Sequence, residues 1–151
     1  MSPTSSSEVV DALGRHLSDL SLVVYTPDSV YVEADLDRPA FVDGLLPPDP
    51  DTCVSAVVTR DNRERDPYNP DIDVRLRFRT AVGAVKDADS WADDVYGALH
   101  VPDHVVRKEV WPGGVRVLDV RRVVRAQSFE DSNGRCVRAD DYRITLNPRS
   151  E

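Results

Sequence analysis

Long apolar runs are missing from this chain of 151 residues. Nothing in it approaches the ~20 consecutive apolar residues that a membrane-spanning helix needs. The start, Met1-Ser-Pro-Thr-Ser-Ser-Ser-Glu8, lacks the basic residues and apolar stretch of a secretion signal. The expectation is a protein made and used without export, with no membrane partner. Cysteine is scarce: Cys53 and Cys136 lie within or beside predicted strands and read as free thiols rather than a bridge. Positive charge is short as well. The net charge of −8 argues against binding nucleic acid through its phosphates, which calls for a basic surface. The deficit is uneven. Residues 1–70 hold 5 Lys+Arg against 13 Asp+Glu, giving −8, whereas residues 71–151 hold 14 of each, giving zero. The 21 Asp against 6 Glu, and 17 Arg against 2 Lys, fit a GC-rich genome or mild adaptation to salt rather than a mechanism.

The usual chemical signatures are missing too. No Gly-rich phosphate loop follows a strand and opens a helix, since Gly113-Gly114 sits in a hairpin-like turn. No serine stands on a strand-to-helix elbow, and neither cysteine has a recognisable histidine partner. His100 and His104 have metal-ligand spacing, but Pro102 between them rules out a shared regular helix, so both read as loop or helix-end residues. His16 falls at the margin of a helical stripe and reads as partly buried and structural. Asp131-Ser-Asn-Gly134 hints at a calcium loop, but the third ligand before the glycine is missing and Tyr142 stands where the closing Glu belongs. The pairs Asp71/Asp73, Asp87/Asp89 and Asp93/Asp94 read as a solvated strand face, helix capping and an exposed helix face. The expectation is no enzyme, with no catalytic, cofactor or metal site.

What the chain does have is clear periodicity. In Asp71-Ile-Asp-Val-Arg-Leu-Arg-Phe-Arg79, Ile72, Val74, Leu76 and Phe78 share one face, and Asp73, Arg75, Arg77 and Arg79 the other. A period of two predicts a strand with one buried and one charged face. Val9, Leu13, Leu17 and Leu20 recur at helical spacing after Ser5 or Ser7, and Ser5 with Glu8 has capping-box spacing. Gly14 should weaken that helix. A second helix is predicted from about Ala88 to His100, capped by Asp87 or Asp89, with Ala88, Ala92 (or Trp91), Val95 and Leu99 buried; Pro102 ends it. Short strands are expected at Leu22–Tyr25, Val30–Val32 and Ala40–Val42. Others should run over Cys53–Thr59, Val105–Val110 and Val115–Val120. Val123–Gln127 and Arg138–Leu146 should form a final hairpin around Ser132-Asn133-Gly134.

Between two of these strands lies Asp61-Asn-Arg-Glu-Arg-Asp-Pro-Tyr-Asn-Pro70, whose prolines oppose helix and paired strand. Polar loops of this length in a small domain are usually functional or disordered. This one is expected to be mobile in an isolated subunit and ordered against a partner, with Tyr68 as anchor and Arg63 and Arg65 reaching acidic groups. Arg75, Arg77 and Arg79 fit either simple solvation of a sheet face or contact with an acidic protein surface. The predicted fold is a single α+β domain over residues 1–151. It is mostly antiparallel β-sheet with two helices packed against it, plus a projecting loop or hairpin arm.

The order of segments in the second half resembles the tail terminator proteins of long-tailed bacteriophages, also called minor capsid or tail completion proteins. The matching features are Leu45-Leu-Pro-Pro-Asp49 leading into a strand, Asp71-Ile-Asp-Val-Arg75, Tyr96-Gly-Ala-Leu-His100, Asp131-Ser-Asn-Gly-Arg135 and Asp141-Tyr-Arg143. Their order and spacing over residues 41–146 carry the resemblance; residues 22–46 are enlarged relative to that pattern. It implies a structural virion protein at the head–tail junction, assembled in the host cytoplasm. Such a protein would form a homo-oligomeric ring, as a hexamer, on the head-proximal end of the tail tube. Its partners would be the tail tube protein and the head–tail connector or stopper protein. It would bind no specific nucleic acid sequence, although genome DNA would pass through the ring. The alternatives are another head–tail junction protein, such as a tail tube subunit or neck adaptor, or a small α+β ligand-binding domain or enzyme.

Overall fold

The alternation of Ile72, Val74, Leu76 and Phe78 places all four side chains in one core, each at most 1% exposed. Their strand, β3 (Asp71–Thr80), lies in the middle of a seven-stranded sheet. The computed structural model describes residues 2–102 and 108–147. The other strands are β1 (Ala40–Asp43), β2 (Cys53–Asn62), β4 (Glu109–Trp111), β5 (Val115–Arg125), β6 (Phe129–Glu130) and β7 (Cys136–Leu146). Their order is β1-β2-β3-β7-β5-β4, and β6 prolongs the line of β5 along β7. Among the described strands only β1 and β2 pair in parallel, and the isolated bridge between Val24 and Ala40 is parallel too. With two helices on this mostly antiparallel sheet, the fold is α+β.

Helix α1 (Ser6–Asp19) starts where the sequence places it, with the capping box formed between Ser5 and Glu8. Val9, Val10, Ala12, Leu13 and Leu17 are buried; Leu20 lies past the last turn and is 44% exposed, so the stripe is one residue shorter than its spacing implied. Gly14 is a point of close approach. A Cβ there would lie 2.7 Å from two Phe41 ring carbons and 2.8 Å from one of Tyr25. Helix α2 (Ala88–Leu99) is capped by Asp87, whose carboxylate accepts from the Ser90 N–H at 2.9 Å, and it buries Ala88, Ala92, Val95 and Leu99. Trp91 packs only partly against the core. Both helices share one hydrophobic cluster with β3, β5 and β7, so Leu13, Leu17, Val74, Leu76, Val95 and Leu99 are buried together. The opposite sheet face is left uncovered by either helix.

Several boundaries differ from the sequence reading. Val115–Val120 and Val123–Gln127 are not separate strands: β5 runs unbroken to Arg125, with register irregularities at Val117/Asp119 and Arg122/Val124 that disturb the apolar alternation. Val30–Val32 forms no strand and leads into a 3-10 turn at Glu33–Asp35. Of Leu22–Tyr25 only Val24 bridges to Ala40. The start of the strand expected at Val105–Val110, and His104, lie outside the described residues.

Candidate functional site

The uncovered face of the sheet is built from residues that alternate with the core. Antiparallel partners point to the same side, so β3 and β7 set their polar side chains in facing rows. Asp71 opposes Thr145, Asp73 opposes Arg143, Arg75 opposes Asp141 and Arg77 opposes Ala139. The first three pairs are closed: Thr145 Oγ1 donates to Asp71 at 2.6 Å, Arg143 Nε to Asp73 at 3.1 Å, and Arg75 Nε to Asp141 at 2.8 Å. Donating to Asp141 raises the pKa of Arg75, and donating to Asp73 raises that of Arg143. Partly exposed pairs of this sort contribute about 0–1 kcal/mol each; their main effect is to fix the pattern of charge on the face. Arg77 differs. It faces Ala139 on one side and Ser55 on the other, and no hydrogen bond or ion pair holds its guanidinium among the described residues.

Arg79 does not belong to that exposed row. It is 4% exposed, and its guanidinium donates to the carbonyls of Asp51, Pro47 and Pro50 at 2.8, 2.6 and 2.7 Å. The proline-rich approach to β2 curls over it. Those prolines explain the arrangement, because such a loop has few N–H groups of its own to satisfy nearby carbonyls. Arg79 therefore organises that loop and is withdrawn from solvent.

The hairpin tip between β2 and β3 is shorter than the sequence suggested, because Asp61 and Asn62 pair with Ile72 and Asp71. Arg63 gathers what remains: Nε donates to Asp61 at 2.8 Å, one terminal nitrogen to the Pro67 carbonyl at 2.8 Å and the other to the Thr4 carbonyl at 2.7 Å. Arg65 donates to the Asn69 carbonyl at 2.9 Å. Both arginines thus act within the chain, while Tyr68 presents a 44% exposed ring at the tip. The structure does not bring Arg63, Arg65 and Tyr68 together with Arg75 and Arg77 in one cluster of contacts: the tip binds itself, and Arg75 binds β7.

A buried ionic network under α2 escaped the sequence reading. Arg138 is fully buried on β7 and donates to Asp140 at 3.0 and 3.1 Å, to Asp89 at 3.1 Å and to Asp93 at 3.0 Å. Arg122 adds an ion pair to Asp140 at 3.5 Å and lies 3.7 Å over the Tyr96 ring. Burial would lower the pKa of Arg138, but the hydrogen bonds it donates to Asp140, Asp89 and Asp93 outweigh it and the net shift is upward. Burial likewise pushes Asp89 up, yet hydrogen bonds from Ser128 and Arg138 leave it below the usual carboxylate range. Asp89 and Asp93 are therefore partners of a core cation, not merely capping or solvated acids. The signal was present: residues 138 and 140 lie four and two before Tyr142, on the face that Ile144 and Leu146 also share.

Among the described residues, no group of three or more His, Cys, Asp or Glu side chains could hold a metal ion. His100 ends α2, and its Nδ1 accepts from the Arg122 N–H at 3.0 Å. His16 stacks on Trp111 with ring centroids 5.0 Å apart, and burial lowers its pKa. The Cys53 thiol is pushed up to about 11 by burial. The hollow between residues 33–38 and the start of α2 is lined by Glu33, Leu36, Asp37, Arg38, Thr52, Lys86 and Trp91. Such a mostly charged lining is unlike the apolar pockets that enclose small molecules.

No protein-family model matches the chain, and no curated protein matches it by sequence. Among solved structures, a chain described as "Virion of native gene transfer agent (GTA) particle" has a similar fold. The TM-score is 0.50 at 18% identity, covering 80% of this chain and 87% of that one.

Proposed function

We propose that this chain is a structural virion protein of the tail-terminator type, forming a ring that caps the head-proximal end of a phage-like tail tube and joins it to the head connector. The observation that carries the reading is the fold likeness to a virion-particle chain over most of both molecules. The order of segments over residues 41–146 supports it independently. A terminator works without a reaction. It needs a closed ring, one face that fits the last tube ring, and another face that fits the connector. A head-to-tail contact that closes by rotation supplies such a ring.

On this reading the uncovered sheet face and the β2–β3 tip are the surfaces offered to partners. Arg77 has a guanidinium that no side chain of its own subunit neutralises among the described residues, so it suits an acidic group on a neighbour. Arg75 could join it by sharing Asp141. Tyr68 provides an aromatic anchor at the tip, with Arg63 and Arg65 holding the tip in shape.

Electron microscopy of the purified protein, with and without tail tubes, tests the proposal. The expected result is single rings, six-fold, that seat on tube ends and hold tube length constant. Rings that stack into continuous tubes would identify a tube subunit instead. A chain that stays monomeric by light scattering even with matching tubes would overturn the ring reading. Deleting residues 62–69 and rejoining the strands by a short turn should leave the fold intact and weaken seating; normal caps from that variant would remove the tip from the mechanism.

A further inference from the structure

Two other surfaces, on opposite margins of the sheet, match each other in charge and in apolar character. The first is the outer edge of β5 and β6. β4 covers β5 only from Val115 to Val117. The next stretch is covered by the end of α2, where the Val101 N–H donates to the Val120 carbonyl at 2.8 Å and the Arg122 N–H to His100. Beyond that point no described strand pairs with the outer edge. Val123, Val124 and Phe129 are 44, 49 and 59% exposed there. Residues 121–130 carry Arg121, Arg122 and Arg125 against Glu130, net +2; Arg121 pairs with Asp119 at 2.7 Å and Arg122 with Asp140 at 3.5 Å. An unpaired apolar edge is a site where another chain adds on.

The second surface is the connection between Val24 and β1. Residues 27–38 carry Asp28, Glu33, Asp35 and Asp37 against Arg38, which is four negative charges and one positive, net −3. Val30 and Val32 project from it at 91 and 55% exposure. Neither the Asp28 nor the Asp35 carboxylate accepts a hydrogen bond or forms an ion pair among the described residues. This segment leads into β1, the far margin of the sheet. Four strand spacings separate β1 from β5, roughly 19 Å across the sheet. The two surfaces therefore cannot satisfy each other within one subunit.

We infer that the β5–β6 edge of one subunit docks on residues 28–37 of a second copy of this chain. Val123, Val124 and Phe129 meet Val30 and Val32 across the edge, with Arg121 on one face of the sheet and Arg125 on the other, so that Asp28 and Asp35 flank the edge from opposite sides. Each subunit then has one edge and one acidic segment, so the contact repeats head to tail and closes when its rotation completes a circle. This rests on the ring reading above and names the contact that would build the ring.

Charge reversal tests it on the full chain, by sedimentation and electron microscopy. Arg121→Glu with Arg125→Glu gives an acidic edge; Asp28→Arg with Asp35→Arg gives a basic segment. Each reversed chain alone should lose association by roughly tenfold or more, because like charges then face each other. Mixing the two chains equally should restore rings of even number, and combining all four changes in one chain should restore rings from that chain alone. Unchanged melting of each variant separates lost contact from lost fold. As a second measurement, Val32→Cys with Val124→Cys, in a Cys136→Ser background, should yield a ladder of cross-linked oligomers with a short bismaleimide. Rings that survive single reversal, or that give no ladder, overturn this contact and leave the ring reading standing. A parent chain that never assembles, even on tube ends, overturns both.

Discussion

Replacing Gly14 and Gly97 by alanine should move stability in opposite directions, although both glycines sit inside helices. Alanine in a helix interior is favoured over glycine by about 0.5–1 kcal/mol, because the unfolded glycine chain has more freedom to lose. At Gly97 nothing lies within 4 Å of the added carbon, so that gain should appear in full. At Gly14 the new Cβ would stand 2.7 Å from two Phe41 carbons and 2.8 Å from Tyr25. Ordinary carbon contacts are about 3.5–4.0 Å, so the overlap approaches 1 Å. Neither ring is free to retreat: Phe41 is 1% exposed and packs edge-on against Tyr25, whose hydroxyl donates to Asp11 at 2.8 Å. Overpacking of this kind costs about 1–3 kcal/mol. Subtracting the helical gain leaves Gly14→Ala destabilised by about 0.5–2 kcal/mol. Thermal melting at one fixed protein concentration reads both, at about 2–4 °C per kcal/mol for a chain of this length. If Gly14→Ala melts as high as Gly97→Ala, the close approach of α1 to Phe41 is wrong.

Arg138→Met should cost about 3–5 kcal/mol in urea unfolding, since it leaves Asp140 in the core with only the 3.5 Å ion pair to Arg122, while Arg138→Met with Asp140→Leu should recover most of the loss. Arg79→Met should cost about 1–3 kcal/mol by leaving buried carbonyls of the 47–51 loop unsatisfied, without altering α1 or α2 by amide exchange. Asp11, Asp89 and Asp131 all have folded-state pKa values below the ordinary carboxylate value. The unfolded chain therefore takes up their protons first as pH falls, and the melting temperature should drop below about pH 4 and continue down through the folded values; a flat profile from pH 5 to 2 would contradict the ion pairs. A thiol reagent at pH 8 should label Cys136 well before Cys53, whose thiol is buried and pushed up to about 11; equal rates would refute the burial of Cys53.

Legibility in the sequence followed how local each determinant was. The β3 alternation, the Ser5–Glu8 capping box and the α2 stripe depend on residues a few positions apart, and each was read correctly. β5 was split because Arg121-Arg122 interrupts its apolar pattern. The chain keeps that strand continuous by irregular pairing with β7, which no local window reveals. The charge of Arg79 and Arg138 suggests exposure, yet one sits under a proline loop and the other under a helix, placements fixed by distant segments. Pairing of β1 with β2 depends on a parallel crossover, and the bridge at Val24 only extends it. The candidate surfaces follow the same rule. Arg75 and Arg77 were recognisable from the period of β3, whereas the exposed β5–β6 edge appears only once the strand order is known.

The position of β7 has a consequence for synthesis. It is the last described strand in chain order, yet it lies between β3 and β5, and its pairing with β3 runs from Thr80–Cys136 to Asp71–Thr145, separations of 56 to 74 residues. The β2–β3 hairpin can close early, but the middle of the sheet stays open until β7 has been made. Contacts of such separation slow folding because a long loop must be ordered before they form. A chain not yet extended through β7 therefore lacks the edge that β5 and β6 present, since both are aligned by β7. That edge is available to a partner only after β7 has been made, a timing control written into strand order.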